Sequence, residues 1–321
     1  MENALDPNKL SKIRAITNDQ DGKGKNVLSL CVDLTFFYRG GFPKNRDGIL
    51  KFYEPCMEII GDRTSYFLVD MEGRFKKAKP DTLEMLPFWA NQKSFDRGVY
   101  GLILETSDEL AEFSDLAFQT HNVTEHSGWS RMVLPVEFLA EQGVEKFVEL
   151  AKNLASCLDF SSGTGGYALN KHLNYSCTAE TGEIYVTSRR FIGIDVAAPS
   201  DFDRFVPFVA TAQPTCIKGV NWLTFLDQDL FMRAGGENKL AGRFSKEVTI
   251  HELPNGIMIQ AGPEPNFGDV NTGETLPLYR EVGEALKSLL IPSDVLGPWN
   301  SIGGTENTRD WLHRFDNAGS E

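Results

Sequence analysis

At 321 residues the chain is long enough to bury a sizeable core, as one large layered domain or as two modest lobes of roughly 150 residues each. With 41% hydrophobic, 11% aromatic and 24% charged residues it is neither disordered nor fibrous, and 22 phenylalanines supply much of the packing area. A formal net charge of −13, from 45 acids and 32 bases, disfavours direct binding to nucleic acid or anionic lipid and suits a basic protein partner.

Residues 1–26 are polar from end to end and lack a signal-peptide core, and nothing later approaches the ~20 apolar residues of a membrane span, so a cytoplasmic chain is expected. In 27–38, Leu28, Leu30, Val32, Leu34, Phe36 and Tyr38 alternate with Ser29, Asp33 and Thr35, which predicts a strand with one wet face. Residues 65–71 and 99–106 read as further strands of the same sheet. The stretch 105–115, ETSDELAEFSD, gathers Glu105, Asp108, Glu109, Glu112 and Asp115 with no base, around Leu110 and Phe113. It is the candidate partner-binding segment; the other reading is a solvated helix start, because Ser107-Asp108-Glu109 suits a helix N-terminus. From Glu137 to Leu158 the stripe Phe147, Leu150, Ala151, Leu154, Leu158 predicts an amphipathic helix covering the sheet. SSGTGGYALN then reads as a flexible break in regular structure.

A boundary is placed near residue 188, dividing an N-terminal half, 27–188, from a C-terminal half, 189–321. The charge excess is spread evenly, −7 over 1–188 and −6 over 189–321, and so locates no binding face. In the second half, Leu223, Leu226 and Leu230 at helical spacing, Asn221 as N-cap and the stop at Gly235-Gly236 predict a helix of about 13 residues. KEVTIHEL and GIMIQAG form a hairpin around Pro254-Asn255-Gly256, and LPLYREVGEALKSLL supplies another helix. Without regular βαβ alternation the fold class is α+β: mixed or antiparallel sheets flanked by helices, possibly in two α/β lobes.

Catalytic signals are incomplete. Five cysteines (Cys31, Cys56, Cys157, Cys177, Cys216) are scattered and never spaced as CxxC, so they read as reduced, mostly buried thiols rather than disulfides or zinc ligands. The histidine pair in HNVTEH, His121 and His126, lacks the i, i+4 spacing of a helical zinc site, and no metal or cofactor is expected. GTGGYA, 163–168, fits GxGxxA with Glu183 near the place of a ribose-binding acid, yet it follows a helix where a dinucleotide site follows a strand. Glu264 and Asp269 in AGPEPNFGDVN are a possible carboxylate pair, although glycines and prolines around them favour a shaped turn. These two segments define the alternative function, a small-molecule or nucleotide-processing enzyme.

Read in order, RFIGIDV, GVNWLTFL, AGG before a leucine, GIMIQAGPEPNFGDVN, LPLYREVGEAL and WLHRFD resemble the type VI secretion immunity (TsiV-type) family, strongly over 189–316 and more weakly over 27–188. The resemblance implies a non-enzymatic protein made beside a secreted toxin with a restriction-endonuclease-like nuclease domain. Such a protein binds its cognate toxin in the cytoplasm and protects the producer and its siblings. Trp222, Gly268, Asp269, Trp311 and Arg314 match the shared blocks and are read as architecture: aromatic anchors, a permissive glycine and polar turn fixers.

Overall fold

The alternating segment 27–38 becomes a central strand, and the molecule is built outward from it. The structure, a computed structural model, describes residues 10, 11, 13, 19, 20, 26–69, 74–92, 100–107, 114–124, 126–171, 178–197, 199–202, 215–292, 302 and 304–316. The strands are β1 (Asp19–Gln20), β2 (Asn26–Arg39), β3 (Tyr66–Val69), β4 (Lys76–Lys77), β5 (Tyr100–Glu105), β6 (Ala117–Thr124), β7 (Ser127–Leu134), β8 (Phe160–Lys171), β9 (Asp195–Ala197), β10 (Leu223–Asp227), β11 (Val248–Leu253) and β12 (Gly256–Ala261). The helices are α1 (Phe42–Ile60), α2 (Met85–Ala90), α3 (Glu137–Gln142), α4 (Val144–Cys157), α5 (Thr178–Arg190), α6 (Pro199–Phe202), α7 (Gln228–Arg233), α8 (Gly236–Ala241), α9 (Pro277–Leu286) and α10 (Thr305–Leu312).

Among the described residues all twelve strands join one sheet, in the order β11-β12-β10-β8-β2-β7-β6-β5-β3-β4, with β1 beside β2 and β9 beside β8. Every pairing is antiparallel except β8 with β9. With helices against this sheet, the fold is α+β. The sheet crosses residue 188 without a break, since β10 pairs β8 on one side and β12 on the other. The core is continuous as well: Phe36 of β2 meets Phe225 of β10 at 4.8 Å between ring centres and Phe52 of α1 at 5.9 Å. Leu10 and Ile13, from the polar first segment, are buried in the same core.

Several elements follow their sequence signals. The hairpin β11–β12, the strands β3 and β5, and α9 lie where periodicity and turn residues put them. The helix read over 137–158 is broken at Gly143, whose φ of +87° separates α3 from α4. α1 buries Ile49, Phe52, Tyr53, Cys56 and Ile60 at helical spacing and has a proline in its first turn, a helical signal present in the sequence.

Three expectations are corrected. First, SSGTGGYALN is no connector: it lies within β8, paired with β2 and β10. Its glycines are spacers, because a Cβ at Gly163 would lie 2.7 Å from the Thr35 carbonyl oxygen and one at Gly165 would lie 2.7 Å from Leu34 Cδ2. Second, the helix read from Asn221 is instead strand β10 followed by α7. The N-cap is Asp227, whose Oδ1 accepts from the Leu230 N–H at 2.7 Å, while the Asn221 side chain accepts from the Trp222 N–H. Leu223, Thr224, Phe225 and Leu226 are all buried, so both faces of β10 are covered and its run shows no strand alternation.

Third, the face of β2 that carries Ser29, Asp33 and Thr35 is buried, with Asp33 only 2% exposed. Arg131 of β7 pairs with Asp33 and donates to Gln119 at 3.2 Å and to Asn170 at 2.9 Å, while Thr35 donates to Asp33 at 2.6 Å. Nearby on β8, Thr164 donates to Asp195 of β9 at 3.1 Å, and Lys218 pairs with the same carboxylate at 2.7 Å. A buried polar layer whose members bond one another has the same alternation as a wet face.

Candidate functional site

The sequence blocks that stand out in the second half meet one another in space. Phe191, Ile192 and Gly193 run beside the 266–269 turn: the Ile192 N–H donates to the Gly268 carbonyl at 3.2 Å and the Gly193 N–H to the Phe267 carbonyl at 2.9 Å. Gly268 has φ +66°, a conformation that favours glycine, and a side chain there would strike Leu276 and Ile192. Asp269 receives a two-pronged contact from Arg190, Nε to Oδ1 at 3.1 Å and Nη2 to Oδ2 at 2.9 Å, and also accepts from the Asn271 N–H at 3.0 Å.

At the C-terminal end, Arg314 donates from its three nitrogens to the carbonyls of Ile192 (3.0 Å), Trp311 (3.0 Å) and Val220 (2.9 Å). Its guanidinium lies 4.0 Å from the Trp311 ring centre. Burial draws its pKa down to about 10, so it stays charged at neutral pH. Trp222 is fully buried, stacks on Phe147 and donates Nε1–H to the Gly262 carbonyl at 2.9 Å. Trp222, Gly268, Asp269, Trp311 and Arg314 are thus engaged with α4, α5, α10, residues 191–193 and 220, and the 262–273 turns.

Candidate chemical groups are engaged in the same way or lie apart. Asp269 is committed to Arg190 and to its own turn, and Glu264 shares the loop without any described bond to it. Gly163, Gly165 and Gly166 face neighbouring strands and Asn221, not open space. His121 on β6 is held neutral by burial, its pKa lowered to about 4, while His126 is exposed in the turn beyond. Among the described residues no three His, Cys, Asp or Glu side chains are grouped to hold a metal ion. Cys31, Cys56 and Cys216 are buried and Cys157 half-buried, and burial pushes all four thiols up; Cys177 lies outside the described residues.

The acidic stretch is partly described. Glu105 ends β5 with its carboxyl buried, and burial raises its pKa to about 8 against the opposing pull of Arg131. Asp115 is half-buried at the start of the turn into β6, and Asp108, Glu109 and Glu112 lie outside the described residues. Two surfaces went unnoticed in the sequence, since only the fold assembles them. One is a groove of about 830 Å³ lined by Arg233, Lys239, Arg243, Arg280 and Lys287 against Glu281 and Glu284. The other is a groove of about 410 Å³ beside β11. The short helix α8 stands between them, lending Lys239 to the first and Glu237 to the second.

A family model described as TsiV, type VI immunity for VRR-NUC, matches residues 78–315, most of the chain. The chain belongs to the TsiV family. It is a type VI immunity protein, and the match spans the acidic stretch as well as the interlocked blocks. Among solved structures, Pseudomonas aeruginosa T6SS protein PA0821 superposes with a TM-score of 0.80 over 98% of this chain and 91% of that one, at 17% sequence identity; the two share a fold. No curated protein matches the chain. In this TsiV protein no described helix is long and apolar enough to cross a membrane.

Proposed function

We propose that this TsiV protein works without catalysis: it binds a VRR-NUC effector in the cytoplasm and denies the nuclease its substrate by occupying a surface that DNA needs. The observation that carries the reading is the family match over residues 78–315. The chemistry supports it. A nuclease must hold a polyanion, so its groove is basic, and a chain with net charge −13 competes for such a groove. The Gly-rich strand and Asp269, on which the alternative reading as an enzyme would draw, are both engaged in the fold. Asp108, Glu109, Glu112 and Asp115 are proposed to meet the effector, with Glu105 as the buried root of that stretch.

Co-expression with the VRR-NUC protein encoded beside it tests the reading. The pair is expected to co-purify, the chain is expected to rescue growth, and purified effector is expected to lose DNA cleavage when the chain is added. Unimpaired cleavage in the presence of excess chain would overturn it.

A further inference from the structure

The two ends of the sheet differ. At one end β4 is two residues long, and both are exposed lysines, a common protection against strand addition. At the other end β11 runs for six residues, VTIHEL, with neither Lys nor Pro inside it. Its outward groups follow from the register. Leu253 pairs with Gly256 across the two-residue turn, so that pair exchanges hydrogen bonds, and alternation then turns Thr249 and His251 toward β12. Val248, Ile250 and Glu252 therefore direct N–H and C=O away from the sheet. The Val248 N–H is taken by the Ser245 carbonyl at 3.2 Å; no described backbone group bonds those of Ile250 or Glu252.

The side chains of these same three residues line the groove of about 410 Å³, with Phe231, Phe244 and Ile257 as its apolar floor and wall. Glu237 and Glu252 stand at this groove against Lys246, and exposed Glu247 adjoins it. We propose that β11 is a docking edge on which an extended basic segment of the VRR-NUC effector adds as a further strand. Its backbone bonds Ile250 and Glu252, its alternate apolar side chains enter the groove, and its cations meet the glutamates. A second copy of this chain fits poorly, because it brings the same glutamates to the same edge and carries the same charge of −13. This inference rests on the reading of the chain as a VRR-NUC inhibitor.

The test uses the full chain and a catalytically inactivated form of the VRR-NUC protein encoded beside it. Residue-resolved hydrogen exchange is expected to show the amides of Ile250 and Glu252 exchanging fast in the free chain and slowly in the complex, while Thr249 and His251 are protected in both. Ile250→Pro removes an outward N–H and spares the ladder to β12; it is expected to weaken binding by about tenfold or more. Glu252→Lys, on an exposed side chain, keeps the fold and is expected to weaken binding in the same direction. A complex that forms without new protection at Ile250 and Glu252, or that tolerates both substitutions, overturns the docking edge and leaves inhibition standing. A self-associating chain whose dimer is broken by Ile250→Pro also overturns it. Failure of the two proteins to bind at all overturns both the edge and the reading beneath it.

Discussion

Glu105 places a carboxyl in the protein interior, and the molecule feels this as pH changes. Its pKa rises from 4.5 to about 8 in the fold because burial disfavours the charged form. Between those values the unfolded chain has released the proton while the folded chain still holds it, so the fold binds more protons and stability falls as pH rises through this window. Below 4.5 both states are protonated and the residue exerts no such pull. Glu105→Gln is therefore expected to melt higher than the parent at pH 8, by roughly 1–2 °C for each kcal/mol recovered, and to flatten the decline between pH 5 and 8. Differential scanning calorimetry across that range reads both effects; equal melting temperatures at pH 8 would refute the assignment. The sequence displays Glu105 as one more acid in an acidic run. Only the tertiary structure separates it from its neighbours, just as it separates Asp33, paired with Arg131, from a solvent-facing aspartate.

Strand β8 shows how little room an element has when two others close on it. At Gly163 a Cβ would meet the Thr35 carbonyl oxygen at 2.7 Å and Phe36 Cδ1 at 2.8 Å, and neither the paired backbone nor the ring buried in the core can readily retreat. Gly163→Ala is expected to cost about 1–3 kcal/mol through overpacking and local loss of pairing, measured by urea denaturation. Unchanged stability would show that the strand gives way. The same strand marks the boundary of what the sequence makes legible. β2, the β11–β12 hairpin and α9 are readable because apolar residues recur along one face, or a tight turn parts two runs, and β5 because it is a short apolar run. β8 and β10 are not, because they are buried on both faces and glycine or apolar residues fall on each, so no alternation shows. The candidate site divides in the same way. Charge composition is visible in the residue string, but the outer position of β11 exists only once topology places that hairpin last among the described strands of the sheet.

At the scale of the whole molecule the dominant quantity is charge. With an excess of −13 spread over the sequence, the chain steers a partner of opposite charge at long range, and such steering weakens as salt shortens the screening length to about 8 Å near physiological ionic strength. Association with the effector is expected to slow as salt rises, with dissociation changing less. Glu109→Lys with Glu112→Lys is expected to lower the association rate several-fold and to flatten its salt dependence. Stopped-flow measurements at two ionic strengths decide this; a rate indifferent to both salt and charge reversal would remove the acidic stretch from the encounter. Close to the surface the sign is not uniform. α8 separates a groove rich in arginine and lysine from one edged by glutamate, so a partner straddling that helix must match both signs and is thereby fixed in orientation.

The pairing of β2 with β8 has a consequence in time. Leu34 finds its neighbour at Gly165, and β8 in turn waits for Leu223 and the residues after it. Contacts so distant along the chain make for slow closure, because a long loop must be ordered before any of them is rewarded. On the ribosome the middle of the sheet stays unfinished until most of the polypeptide has emerged, so protection trails translation. A cell relying on this inhibitor does best to keep a folded stock in hand rather than to synthesise it once the toxin is present.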